Sequence, residues 1–272
     1  MKINSNDIGV GLRSEHYTDL ENSLETNVNW FEALTENHLD SKGRPFEILE
    51  RVRQQYPLSF HGVSLSIAGH EELRPDYLKR LKEFYDYFEP EIISDHLCWT
   101  GLNDSNFHNL LPFAFTKENL NFLSDRINYV QDFLNRQISL ENLSAYFDYK
   151  KSEMTEWEFI ANLLKKSGHK QLLDVNNIYV NSKNHKFDPK IYIDAIPTES
   201  ISHIHLAGFT DMGEFLFDTH SNPVFDEVWD LYRYTISTKG AIPTLIEWDE
   251  DIPSFEILQN EALKAKEILL GK

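Results

Sequence analysis

The sequence has a single cysteine, Cys98, which excludes an internal disulfide and any cluster of thiolate metal ligands. No apolar run approaches the roughly 20 residues that a membrane helix needs. The opening residues, MKINSNDIGVGL, lack the basic start and the apolar stretch of a secretory signal, so a cytoplasmic protein is expected. Basic residues are scarce: 26 Lys and Arg stand against 44 Asp and Glu, and the net charge of −18 repels a phosphate backbone, which argues against a nucleic-acid partner. Glycine and proline number only 11 and 10, and no Gly/Ser/Pro-rich linker divides the chain. A chain of 272 residues with 41% hydrophobic residues is therefore read as one domain spanning 1–272.

What the chain does have is histidine and carboxylate at the ends of apolar runs: SFHG (59–62), SDHL (94–97), SLEN (139–142), LLDVNN (172–177), HIHLAG (203–208) and TLIEWD (244–249). They recur at intervals of roughly 30–45 residues, the length of a strand–helix repeat. Such a rhythm predicts an α/β fold, a (β/α)8 TIM barrel, with the carboxyl ends of parallel strands converging on one mouth. Eight strands are expected at 8–13, 29–34, 57–62, 91–97, 137–142, 171–176, 201–206 and 242–248. Apolar residues at three- and four-residue steps predict helices at 75–88, 117–135, 154–167, 223–238 and 254–270, with Pro223 and Pro253 near helix starts.

Strand parity supports the same arrangement, because successive side chains alternate faces. Ser59 and His61, Ser139 and Glu141, Asp174 and Asn176, and His203 and His205 fall on one face of their strands. Their neighbours Phe60, Leu140, Val175 and Ile204 fall on the other. Polar residues are thus expected to face the barrel mouth and apolar ones the helices. Carboxylates gathered there without a counter-charge are costly, and a metal removes the conflict.

The candidate metal ligands are His61, His96, Glu141, Asp174, Asn176, His203, His205 and Glu247, joined by Asp218 and His220 from the long loop AGFTDMGEFLFDTHSNP. Imidazole, carboxylate and amide donors suit iron, manganese or zinc. Their number exceeds what one ion takes, which favours two metals and permits three, with Glu141 or Glu247 bridging. Arg13, Glu36 and Asn37 close the first two strands, where a substrate could be held. Cys98 is expected to face the same way as His96.

The blocks GVGLRSEHY, WFEALTENH, YPLSFHGVSLSI, SDHLCW, NLLPFAFT, SLENLSAY, LLDVNNIYVN, HIHLAGF and PTLIEWD, taken in order, resemble the multinuclear non-haem iron-dependent oxidative enzymes, a family that includes the oxidase of methanobactin biosynthesis. The resemblance runs over nearly the whole chain. It implies a barrel of the xylose-isomerase type holding two or three irons (Fe2+/Fe3+), and it carries the iron-ligand role to the ten residues just named. It further implies dioxygen as co-substrate, a ribosomally made precursor peptide modified at cysteine, and a separate partner protein that captures the peptide's leader. The sequence departs from the family pattern at Cys98, at Phe209 after HLAG and at His38 beyond Glu36 and Asn37, positions that bear on substrate rather than metal.

The reading adopted is a dioxygen-dependent oxidase of a precursor peptide, with Glu141, Asp174 and His203 given catalytic roles. The alternative is a divalent-metal isomerase or hydrolase of the same architecture, and a further one is a non-catalytic metal-binding subunit. The segments 98–116 and 207–222, with Trp99, Phe107, Phe113, Phe115, Phe209, Phe215 and Phe217, are expected to line an open cleft for an extended peptide.

Overall fold

A computed structural model describes residues 1–102 and 105–271. Eight parallel strands, Ile8–Gly11, Trp30–Leu34, Leu58–Gly62, Ile92–His96, Ser139–Glu141, Lys170–Asp174, Ile201–Leu206 and Thr244–Ile246, form a closed barrel in chain order. The ring shuts where the first strand pairs with the last, Ile8 opposite Thr244 and Val10 opposite Ile246. Every expected strand is present, in most cases a residue or two shorter than the apolar run that marks it.

Outward side chains meet a ring of helices. Phe60 packs on Phe84 and Phe88 of the helix Pro75–Phe88, with ring centroids 4.7 and 5.7 Å apart. That helix buries Tyr77, Leu78, Leu81, Phe84, Tyr85 and Phe88, the three- and four-residue stripe that makes it a helix against a sheet. Truncating Phe60 to Ala there costs about 3–5 kcal/mol. The helices Lys117–Leu134, Glu156–Ser167, Asp226–Lys239 and Phe255–Leu269 fall where the periodicity predicts. Pro223 and Pro253 precede the last two of these helices instead of occupying their first turns.

Inside, the first strand alternates Gly9 and Gly11 with Ile8 and Val10. A Cβ on Gly9 would lie 2.4 Å from the Trp30 indole, so glycine leaves the room in which Trp30 fills the barrel beneath the site. The sixth and seventh strands carry a register shift between Gln171 and Leu172, which leaves Ser202 as the extra residue and sets Asp174 opposite His205.

The two long segments at the mouth are not plain loops. Trp99–Leu102 pairs antiparallel with Ser105–Leu111, and Thr210–Asp211 pairs with Leu216–Phe217. Among the described residues, no helix is long and apolar enough to cross a membrane.

Candidate metal centre

The carboxyl ends of the strands surround a cavity of about 860 Å³ whose lining includes Arg13, Asn37, His61, His96, Glu141, Asp218, His220 and Glu247. Glu141 is almost wholly buried and offers its two oxygens to different neighbours. Oε2 lies 3.0 Å from His61 Nε2 and 3.3 Å from His96 Nε2, and Oε1 lies 4.0 Å from His205 Nδ1.

The far nitrogens of the first two rings are anchored. His96 Nδ1 donates to the Gly62 carbonyl at 3.0 Å, and His61 Nδ1 meets Ser94 Oγ at 2.9 Å while that hydroxyl donates to the Phe60 carbonyl. Both Nε2 atoms therefore present lone pairs to the same point as Glu141 Oε2, and the two Nε2 atoms are only 3.2 Å apart. Lone pairs aimed at one point repel unless a proton or a cation lies between them. In the metal-free protein a proton serves: burial lowers the His61 pKa, but the Glu141 carboxylate outweighs it and carries the ring up to about 9.

A second group shares Glu141 and adds Asp174, His205 and Glu247, all buried. His205 Nδ1 is 3.0 Å from Glu247 Oε2. Three carboxylates thus surround one imidazole. Burial, reinforced by Glu141 and Asp218, pushes the Asp174 carboxyl well above its usual range. Asp174 Oδ1 caps the following helix by accepting the Asn177 N–H at 2.6 Å, while Oδ2 is buried without a hydrogen-bond partner.

The loop after the seventh strand supplies the third edge. His220 Nε2 lies 2.7 Å from Asp218 Oδ1, and its Nδ1 lies 3.2 Å from Glu247 Oε2 and 3.1 Å from Asp249 Oδ2. Asn176 Nδ2 donates to Asp218 Oδ1 at 2.7 Å, which leaves Asn176 Oδ1 buried and unpartnered. Asn176 reaches this place from the first turn of the helix Val175–His185, because the strand stops at Asp174 and does not continue to 176 as its alternation suggests.

Beneath lies a layer that the sequence reading did not single out. Glu32, on the second strand, holds Oε1 2.8 Å from His205 Nε2 and Oε2 3.4 Å from His203 Nε2, and it accepts the Ser59 hydroxyl at 2.8 Å. His203, given a catalytic role from sequence, belongs to this lower layer with Glu32, whereas His205 stands in the upper group with Glu141, Asp174 and Glu247. Burial opposes ionisation of Glu32, yet His205, His203 and His61 hold its pKa well below the ordinary range. The signal was there: in WFEAL a carboxylate sits between Phe31 and Ala33, on the inward parity. It went unremarked because no histidine stands beside it in sequence. Asp249, two residues past Glu247, was missed in the same way.

The residues expected to hold substrate are differently placed. Arg13 is buried in the wall, donating from Nε to the Trp248 carbonyl at 3.1 Å and pairing with Asp249. Glu36 is engaged by the Val63 N–H and the Tyr77 hydroxyl, so it fastens a loop, and Asn37 lies exposed on the mouth. The fourth strand ends at His96, two residues before Cys98, and the thiol is wholly buried. Of the aromatics, Phe217 lines the mouth, Phe209 is stacked between Tyr179 and Phe225, and Phe113 and Phe115 turn to a neighbouring pocket.

Nitrogen and oxygen donors, several of them orphaned and converging without sulfur, fit divalent first-row cations. Residues 7–270 match the family described as RiPP precursor modification enzyme MbnB/TglH/ChrH. The chain belongs to this family. Membership makes it an enzyme family member whose substrate class is a ribosomally made precursor peptide. Relatives include a UPF0276 protein of Acaryochloris marina, 47% identical over 94% of this chain and 92% of its own length. A UPF0276 protein of Anaeromyxobacter is 44% identical over 96% and 92%.

Solved structures share the barrel of this MbnB/TglH/ChrH member at low identity. D-psicose 3-epimerase from Clostridium cellulolyticum superposes with a TM-score of 0.62 at 11% identity, covering 97% of this chain and 98% of its own. Endonuclease IV from Thermus thermophilus gives 0.63 at 13%, covering 97% and 99%. A xylose isomerase-like TIM barrel protein from Mycobacterium smegmatis gives 0.61 at 12%, covering 97% of each chain. These likenesses establish the xylose-isomerase-like fold and nothing of the chemistry.

Proposed function

We propose that this protein oxidises a precursor peptide at cysteine, using dioxygen and two or three protein-held irons. The observation that carries the reading is Glu141, whose two oxygens face separate histidine groups and so suit a carboxylate bridging adjacent ions. His61 and His96 would hold one ion with Glu141. Asp174, His205 and Glu247 would hold a second with it, and Asn176, Asp218 and His220 a third. Iron, when bound, supplies redox chemistry that these side chains lack.

The protein's own part is to position and to exclude. Anchored ring nitrogens and the Asp174 cap fix the donors before substrate arrives, so little reorganisation opposes reaction. Asn109 and Leu110 of one hairpin and Phe217 of the other line the same mouth of about 860 Å³, which suits an extended chain. Delivery of the peptide is assigned to a separate leader-binding partner, and the work to the cytoplasm, where the precursor is made. The chain acts as one domain over 1–272.

The test is oxygen uptake by iron-loaded protein given a cysteine-containing precursor, with its partner, and given the same precursor with Cys replaced by Ser. Uptake that needs the cysteine, with a matching mass change in the peptide, is the expected result. Turnover of a free ketose or hydrolysis of a peptide without oxygen would replace this reading with the isomerase or hydrolase alternative.

A further inference from the structure

Beside the mouth lies a second cavity of about 270 Å³, on the far side of the segment that follows the fifth strand. That segment is a partition one chain thick. Ser144 and Tyr146 line the mouth, Ala145 and Phe147 line the second cavity, and Leu143 borders both. Such alternation is what an extended segment gives, and its polar hydroxyls fall on the mouth side.

The partition is fastened from both directions. Asn181 Oδ1 accepts the Ala145 N–H at 2.7 Å and its Nδ2 donates to the Leu143 carbonyl at 2.7 Å, from within the second cavity. On the opposite face Ser144 Oγ donates to Asp218 Oδ2 at 3.0 Å. The second cavity is therefore a lasting feature of the wall and adjoins the candidate metal centre.

Its lining brings the aromatic rings of Phe113, Phe115, Trp157 and Phe187 together with Glu156. Glu156 opens the helix Glu156–Ser167 and accepts the Tyr192 hydroxyl at 3.0 Å. Among the described residues it has no ion-pair partner. Asp148, the other carboxylate lining the cavity, is paired with His185 at 3.1 Å. Burial, with a smaller contribution from Asp148, pushes the Glu156 carboxyl up to about 7. Burial disfavours the ionised form of this carboxyl, and a cation beside it would restore the charge.

We infer that this pocket binds the side chain of an arginine in the precursor peptide, its guanidinium against Glu156 and its plane between the aromatic rings. The occupant's origin in a precursor peptide rests on the function proposed above. Aromatic faces attract a cation, and guanidinium is the weakly hydrated planar cation that stacks on them. A neutral apolar side chain would leave the carboxyl unmatched, and an acidic one would be repelled. An ammonium group is more strongly hydrated and harder to strip for a cavity of this size. The net charge of −18 also draws basic segments toward the protein.

The experiment compares N-acetyl-arginine amide with N-acetyl-citrulline amide, its neutral isostere, by NMR titration of the iron-loaded protein without oxygen. Arginine is expected to bind at least about tenfold more tightly. Glu156→Gln should abolish that preference while leaving iron content unchanged, and Trp157→Leu should weaken arginine binding severalfold. Equal binding of the two amides, binding of neither, or a preference that survives both substitutions would overturn the inference. Because no turnover is read, failure here is separable from failure of the oxidase reading, which oxygen uptake alone decides.

Discussion

Glu32 touches His205 on the side away from Glu247 and Glu141, which gives it control over which ring nitrogen carries the proton. With a metal at Nδ1, Nε2 must be protonated, and a carboxylate at 2.8 Å fixes both the tautomer and the ring plane. Ser59 in turn holds Glu32. Replacing Glu32 by Gln keeps the shape and removes the charge, so metal affinity is expected to fall about 10- to 100-fold with the barrel still folded. Titration of the metal-free variant with Fe2+, alongside circular dichroism, checks this. An unchanged affinity would reduce Glu32 to a filler of the barrel floor.

At the level of elements, the metal groups divide between rigid strands and one loop. His61, His96, Glu141 and His205 stand on strands, whereas Asp218 and His220 stand on the segment 207–222. That loop is pinched at its neck, where a Cβ on Gly208 would come 2.2 Å from the Asn222 carbonyl oxygen and 2.4 Å from that of Pro223. Gly208→Ala must spread the neck, at a cost of about 1–3 kcal/mol for an overpacked site. The loop-borne metal position is expected to empty while the His61–His96–Glu141 position fills normally, as metal analysis of the iron-loaded variant will read. A full complement in Gly208→Ala would mean that the loop adjusts without moving its donors.

The same division explains what could be read from sequence. Strands announce themselves through alternation with an apolar outer face, as in Phe60 beside His61, so the barrel and most of its mouth were legible. Asn176 was credited to a strand because Leu173 and Val175 alternate with Asp174 and Asn176, yet a capping aspartate ends the strand at 174. The alternation ran on by chance into a buried helix, where parity has no meaning. The hairpins escaped notice because short strands with exposed residues such as Leu102, Phe107 and Phe217 carry no one-sided apolar pattern. His203 and His205 share a face, but only the three-dimensional depth of the barrel separates a histidine at the mouth from one beneath it.

For the molecule as a whole, the buried carboxylates Glu32, Glu141, Asp174 and Glu247 make a centre that a bound cation stabilises. Metal at about a hundred times its dissociation constant adds roughly 2.7 kcal/mol to the folded state. For a chain of this size that corresponds to a rise of about 5 °C in Tm. Thermal melts before and after chelation, and again after Fe2+ is returned, should show the loss and its reversal. Identical midpoints in all three would remove the metal assignment from this cluster.

The closing of the ring has one more consequence. Arg13 donates to the Trp248 carbonyl across 235 residues of sequence, and the first strand finds its partner only in the last. Glu247 and Asp249 come from that final seam. While the chain is still emerging from the ribosome, the upper group lacks a carboxylate and the barrel has a gap where its eighth strand belongs. A cation held by the finished upper group would then act as a clasp on the seam, not as a seed for folding. A chain made only as far as the fifth strand can gather His61, His96 and Glu141, and the centre is whole only once the last strand has joined the first.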